Sequence, residues 1–434
     1  MMGINRKVWA WALYDWANSA FAVIVMAGFF PVFFKDYWSG DVEVTVSTFR
    51  LGMANSLSGL VVVLLAPLLG AIADQGGTRR RFLLLFAVMG SAMTACLHLV
   101  QQGAWELAIF VYAAATLSFS MANTFYDSLL SDVAPPERTD AISSLGYGLG
   151  YLGGGLIFAL HLYAVIHPDT FGLANASEAV RWSFISVAIW WIAFSIPILL
   201  FVKEDKPATV PRGWNAVTGG YRRLRETIAQ IRQLPQTVYF LIAYWLYIDG
   251  LDTIVRMAVD YGLSLGFGHE SLLTALLITQ FVGFPFAIAF SKMSEKIGSR
   301  NSLFVGIGVY ALATIWGYFL SEIWEFYGLA ILVGFVQGGV QAISRSLYIR
   351  LIPHEKRAEF FGFYNMLGKF ATLFGPLLMG WTSMLFGSTR ISILSILLLF
   401  LGGAYFLAKV DIKEGERAAA AFSSGLTGTK SQRR

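Results

Sequence analysis

Apolar stretches about twenty residues long recur along this chain, with short polar segments between them. A bilayer's hydrocarbon core takes an α-helix of about 20 mostly apolar residues, and at that length the pattern predicts twelve spans. Six lie near Trp9 to Phe34, Thr48 to Ala73, Phe82 to Val100, Trp105 to Ser131, Ala141 to Tyr163 and Arg181 to Val202. Six more follow near Thr237 to Leu263, Ser271 to Lys292, Ser302 to Leu320, Phe326 to Arg350, Phe360 to Leu385 and Ile391 to Lys409. Arg6 and Lys7 precede a first run too long for a signal-peptide core, and no small-residue cleavage site ends it, so it is read as a retained helix. The expected fold class is an all-α membrane protein with twelve transmembrane helices.

Composition agrees and removes several functions. The chain is 56% hydrophobic and 14% charged, whereas soluble domains run about 45–50% apolar and about 25% charged. The single cysteine, Cys96, leaves no disulfide framework or multi-cysteine metal site, and neither HExxH nor GxxxxGK[ST] occurs. No enzyme, cofactor or metal is expected. Gly148, Gly150 and Gly153 match GxGxxG, but they lie inside a span instead of between a strand and a helix. Gly146, Gly150 and Gly154, four residues apart, are better read as a smooth face for close helix contact.

Charge then sets orientation. Alternate loops and the two ends carry 25 Lys and Arg, against 4 in the opposite set, and basic residues stay on the cytoplasmic side. Both termini are therefore expected in the cytoplasm. The net charge of +5 is a topology signal and does not indicate nucleic acid.

The chain also repeats itself. Gly70, Asp74, Gly77, Arg79 and Arg80 follow the second span, and Ser291, Glu295, Gly298 and Arg300 follow the eighth at an offset of 221. Pro135-Pro136-Glu137-Arg138 matches Pro353-His354-Glu355-Lys356 at an offset of 218, close to half of 434. Two pseudo-symmetric six-helix bundles follow: residues 1–202 and 236–410, joined by a linker over 203–235 and followed by a polar tail, 411–434, expected to be disordered. Within the linker, Trp214, Val217, Tyr221, Leu224, Ile228 and Ile231 form an apolar stripe among arginines, which suits a helix on the inner leaflet.

Charges inside spans are costly and need a partner, a cavity or a function. Spans three, six, nine and twelve have none in their interiors, as expected of peripheral supports. Elsewhere, residues three or four apart share faces: Asp15 with Asn18; Thr116, Ser120, Asn123, Asp127 and Ser131; Asp249, Asp252 and Arg256; Gln337, Gln341 and Arg345; Asn365 with Lys369. The 218 offset sets Asp127 opposite Arg345 and Asn123 opposite Gln341. Asp15, Asn18, Asn123, Asp127, Asp249, Asp252, Arg256, Gln341, Arg345, Asn365 and Lys369 are the candidate substrate or proton pathway, although Asp252 and Arg256 equally suit a structural pair. The acid-Gly-Arg loops, with Gly70, Asp74, Gly77, Arg79 and Arg80 in one half and Glu295, Gly298 and Arg300 in the other, are candidate conformational latches.

The loop Gly70-Ala-Ile-Ala-Asp74-Gln-Gly-Gly77-Thr-Arg79-Arg80 resembles the signature of the major facilitator superfamily. More narrowly, Tyr14-Asp15-Trp16-Ala17-Asn18-Ser19-Ala20-Phe21, Phe125-Tyr126-Asp127-Ser128-Leu129-Leu130 and Gln337-Gly-Gly-Val-Gln341-Ala-Ile-Ser-Arg345-Ser346 resemble the vacuolar amino-acid effluxers linked to autophagy and their bacterial relatives. The resemblance implies export of amino acids. The compact loops and short tail look bacterial, which implies an inner membrane.

The expected function is a secondary transporter that moves a small polar or zwitterionic solute by alternating access, acting as a monomer in the bilayer. Aromatic walls are expected from Tyr14, Trp16 and Trp245. An ammonium would meet Asp15 or Asp249 and a carboxylate Arg345 or Lys369, with protons as a possible coupling ion. Alternatives are an exporter of amphipathic compounds or lipids and a cation carrier using Asp249 and Asp252; a non-transporting sensor would need a soluble domain that the pattern lacks.

Overall fold

The structure, a computed structural model, describes residues 5–40, 44–204, 229, 231–386 and 389–431. The N-terminal bundle consists of α1 (Arg6–Trp38), α2 (Val44–Gly76), α3 (Arg79–Leu99), α4 (Trp105–Val133), α5 (Thr139–Ile166) and α6 (Ala176–Phe201). The C-terminal bundle consists of α7 (Pro235–Ser264), α8 (His269–Ile297), α9 (Ser299–Phe319), α10 (Ile323–Arg350), α11 (Arg357–Phe386) and α12, whose two pieces, Thr389–Leu394 and Ile396–Ala408, meet at Ser395. Among the described residues, ten helices are long and apolar enough to cross a membrane, and α2 contains a shorter apolar stretch, Ser58–Asp74. With two six-helix bundles, the fold class read from the apolar pattern holds.

The four helices expected as peripheral supports are α3, α6, α9 and α12. α3 packs on α4 and α6, and α12 on α7 and α9. Their outer faces expose Leu85 and Val88 on α3, Ile189 and Leu200 on α6, Leu312 and Phe319 on α9, and Leu398 and Leu401 on α12. Such a face is unfavourable in water and at no cost in hydrocarbon, so it suits contact with lipid, as do Leu64 of α2, Phe110 of α4 and Trp381 of α11. The bundles meet through α2 against α11 and α5 against α8, with further contacts of α5 with α10 and α4 with α11.

Close approach at the seam depends on missing side chains. A Cβ on Gly70 would lie 2.5 Å from the Ala358 carbonyl oxygen, and one on Gly362 would lie 2.6 Å from Pro67 Cα, so α2 and α11 touch backbone to backbone. The glycines of α5 behave as their spacing predicts: a Cβ on Gly146, Gly150 or Gly154 would strike Asp15, Ser19 or Val23 of α1. Gly77 and Gly298, equivalent in the repeat, turn the chain with φ of 56° and 85°, values that favour glycine.

The tail departs from expectation. Ile412–Ser431 is a helix, α13, not a disordered segment. Asp411 accepts from the Glu414 N–H at its start (3.0 Å), Gln236 donates to Glu414 (2.7 Å), and Arg350 binds Glu416 (2.6 Å), so tertiary partners and an alanine run order a stretch whose polarity suggests a free coil. The amphipathic helix expected over Trp214 to Ile231 falls almost wholly outside the described residues.

Candidate functional site

Arg345, five residues before the end of α10 at Arg350, comes from the C-terminal bundle but finds its partners in the N-terminal one. Its side chain is 1% exposed. Nη1 lies 3.1 Å from Asp127 Oδ1 on α4 and 3.5 Å from Asp15 Oδ2 on α1. Nε donates to Ser143 Oγ and Nη2 to the Ser143 carbonyl on α5, both at 2.9 Å. The guanidinium carbon stands 4.8 Å from the centre of the Trp11 ring, 5.3 Å from that of Tyr126 and 4.3 Å from that of Tyr147. Two carboxylates, one hydroxyl, one carbonyl and three π faces thus surround one cation, the combination that makes a buried guanidinium tolerable.

Each carboxylate is held in turn. Tyr126 donates its hydroxyl to Asp15 at 2.8 Å, while Trp11 donates Nε1 to the Tyr126 carbonyl at 3.1 Å and stacks on its ring at 4.5 Å. Asn365 of α11 donates to Asp127 at 3.4 Å. One turn away, Asn18 donates to Asn123 at 2.5 Å. One turn along α10, Gln341 accepts from Tyr151 of α5 at 3.3 Å.

The structure therefore brings Asp15, Asp127, Arg345 and Asn365 into one cluster, with Asn18, Asn123 and Gln341 on its flanks. Asp249 lies apart, fully buried within the C-terminal bundle, where it accepts from the Gly375 N–H of α11 (2.9 Å) and from Thr253 (3.4 Å). Its geometry is that of a helix–helix tie. Asp252 is half-buried on the same helix, and the side chains of Arg256 and Lys369 lie outside the described residues. The expected aromatic walls shift as well: Tyr14 is buried against Trp191 and Tyr126, Trp16 stacks on Trp190, and Trp245 packs on Phe374, so Trp11, Tyr126 and Tyr147 form the cage.

At the end of the molecule that carries the basic loops, the seam is closed by two different devices. In the first, Asp74 accepts from the Glu359 N–H across the bundles (2.9 Å) and lies 3.8 Å from Arg79, which pairs with Asp132 at 2.7 Å and donates to the Ser128 carbonyl at 3.3 Å. Arg80 donates to the carbonyls of Leu199 (3.0 Å) and Val202 (2.6 Å). Glu204, just beyond α6, accepts the backbone N–H groups of Arg79 and Arg80 and so caps α3. Burial pushes the Glu204 carboxyl above its ordinary range despite those donors.

The second device corrects the repeat-based reading. Glu295 does not take the part of Asp74: it is exposed, and Arg300 turns to the Ala408 carbonyl (2.6 Å). The acid here is Asp140 of α5, which accepts from Ser294 (2.6 Å), Ser299 (2.9 Å) and Ser346 (2.5 Å) of the opposite bundle. The repeat reproduces the turn at Gly298 but not the ion pair, because the partner that fills the equivalent space comes from the other bundle.

Residues 37–420 match the family described as vacuole effluxer Atg22 like. The chain belongs to that family. A Bacillus subtilis relative, the uncharacterized MFS-type transporter YxiO, is 38% identical over 412 residues, covering 94% of this chain and 96% of its own. Autophagy-related protein 22 of Coccidioides immitis is 25% identical over 549 residues, covering 98% of this chain and 90% of its own. Among solved structures, the human organic anion transporter MFSD10 aligns with a TM-score of 0.71 at 14% identity, covering 94% of this chain and all 100% of that one. The transporter FucP in its outward conformation aligns with a TM-score of 0.69 at 12% identity, covering 95% of this chain and 99% of that one. These likenesses establish the major facilitator fold, and the relatives make this Atg22-like chain an integral membrane transporter, not an enzyme.

Several residues of these two clusters in this Atg22-like protein escape the sequence reading. Tyr126 sits inside the quoted Phe125-Tyr126-Asp127 stretch, so its place beside Asp127 is visible while its bond to Asp15 is not. Asp140 and Ser143 share a face of α5 by their spacing of three, but the predicted span begins at Ala141 and leaves Asp140 in the loop.

Proposed function

We propose that this protein is a secondary active transporter working by alternating access, and that it exports a small zwitterionic solute, an amino acid or a close chemical relative. The observation that carries this reading is the placement of Arg345: a cation from one bundle seated among two carboxylates of the other. An inter-bundle ion pair must break when the bundles rock apart, and a lone charge left in a low-dielectric cavity costs several kcal/mol. A zwitterion removes that cost, because its carboxylate replaces Asp127 on Arg345 while its ammonium takes the released Asp127 or Asp15. Two carboxylates share one guanidinium, so a single negative charge is left over. A proton neutralises it, which makes protons the proposed coupling ion. The basic loops argue for both termini in the cytoplasm, and the compact loops and short tail for a bacterial inner membrane as the location.

Thermal unfolding of the purified protein tests the substrate class, since a ligand bound to the folded state raises its stability. Free amino acids should stabilise, whereas their methyl esters and N-acetyl forms should not, and Arg345→Gln should abolish the response. Equal stabilisation by esters and free acids would remove the two-ended recognition from the reading.

A second reading, an exporter of amphipathic compounds, draws on a mostly apolar cavity of about 100 Å³ among α7 to α12 of the C-terminal bundle, lined by Tyr261, Leu276, Ala313, Phe326, Gln337 and Met379. Apolar molecules without a carboxylate should then compete with the transported solute; under the zwitterion reading they should not.

A further inference from the structure

The tail helix reaches the seam through a continuous chain of hydrogen bonds. Glu416 of α13 holds Arg350 Nε at 2.6 Å, in a pair that is half-exposed. Arg350 Nη1 donates to Ser299 Oγ at 3.2 Å. Ser299 in turn donates to Asp140 Oδ2 at 2.9 Å, across the bundles. A serine hydroxyl has one proton, so when Arg350 occupies an oxygen lone pair, that proton is directed at Asp140. Ser294 and Ser346 supply the other donors to the same carboxylate. Asp140 is thus clasped by three neutral donors, while a full cation stands one hydroxyl away, drawn outward by Glu416.

We infer that Glu416 is a positioning residue that sets how firmly the basic end closes, acting through Arg350 and Ser299 on Asp140. The inference rests on the alternating-access reading. Charge decides its sign. With Glu416 in place, the Arg350 charge is largely spent on the tail and the clasp remains a set of neutral-donor bonds that can part. Without that carboxylate, the guanidinium is free to attract Asp140, and a charge-assisted contact replaces a weaker one. The tail therefore keeps the closed state from becoming too stable, and its loss biases the transporter toward closure at the basic end.

The test is a distance measurement between spin labels on exposed positions of the two bundles, Glu137→Cys and Lys296→Cys, in a Cys96→Ser background of the full chain. Wild type should show a short and a long separation, for the basic end closed and open. Glu416→Gln should raise the short-to-long ratio about threefold, the range of a partly exposed ion pair. Arg350→Gln breaks the same tail contact but also removes the cation, so it should lower that ratio. A tail that merely stiffens the bundle would move both variants in the same direction. With Arg350→Gln present, Glu416→Gln should add nothing. An unchanged ratio in Glu416→Gln, or equal shifts in the two variants, overturns the inference while leaving alternating access standing; a single separation in wild type under all solute and pH conditions overturns alternating access itself.

Discussion

Ser143 of α5 accepts twice from Arg345 of α10, once at its hydroxyl and once at its carbonyl, both at 2.9 Å, while its own hydroxyl proton goes to the Ala342 carbonyl at 2.8 Å. One small residue therefore fixes the guanidinium plane and ties α5 to α10. Ser143→Ala keeps the carbonyl contact, strips Arg345 Nε of its partner and takes from the Ala342 oxygen its second donor. The expected loss is about 1–3 kcal/mol of folded-state stability, read as a lower unfolding temperature in detergent, with transport impaired at normal expression. An unfolding curve superimposable on wild type would show that water takes over the hydroxyl's place.

Asp127 and Arg345 should be energetically coupled. Each single variant, Asp127→Asn or Arg345→Gln, breaks a buried pair and should destabilise by about 3–5 kcal/mol if nothing else adapts. The double variant should cost much less than the sum. A coupling energy above about 0.5 kcal/mol in the double-mutant cycle fits a shared network. Strict additivity would assign Arg345 to the solute alone and leave Asp127 to Asn365.

Asp74→Asn should slow turnover far more than it weakens solute binding. Asp74 touches the Glu359 N–H and Arg79 at the basic end instead of Arg345 itself, so its carboxylate bears on the step in which the bundles part. Maximal transport rate and equilibrium binding on the same preparation decide the matter. A rate equal to wild type would leave the loop a purely structural turn.

Glu204 provides a test by pH. Its carboxyl is raised in the folded protein, chiefly by burial, so folding favours the protonated form. The stability it contributes is complete below the ordinary glutamate range and is lost as pH rises through the raised value. Glu204→Gln cannot titrate. The stability of wild type relative to that variant should therefore fall as pH climbs from about 4 toward neutrality, tracked by paired unfolding curves. A difference that is flat or that grows with pH would mean that the Arg79 and Arg80 amides outweigh the burial.

Much of this was legible in the amino-acid order, for reasons that also mark its limits. A duplicated six-helix unit sets equivalent positions across a pseudo-twofold axis, so the 218-residue offset predicts Asp127 opposite Arg345, and the two lie 3.1 Å apart. The same logic fails at Glu295, because a repeat transmits backbone shape without transmitting partners. Asp249 looks functional by its charge and depth, yet the Gly375 amide it satisfies has no signature in a sequence. The tail looks disordered because its anchors, Gln236 and Arg350, lie far away in the chain and only the fold brings them near.

The first helix runs 33 residues from Arg6 to Trp38 and is wound as π-helix over Phe21–Phe29 and Phe34–Trp38, so it is somewhat shorter than the roughly 50 Å that 1.5 Å per residue would give. It carries Asp15 beside the Arg345 cation, and at its far end Trp38 bonds the Val100 carbonyl at 3.3 Å. Moving as one piece, such a helix would act as a lever. Pivoted near its middle through only about 10°, it would swing each tip by roughly 4 Å, comparable to the width of an amide group. For a helix moving as one piece, a change in how Asp15 sits against a guanidinium would thus be felt at the opposite mouth of the protein.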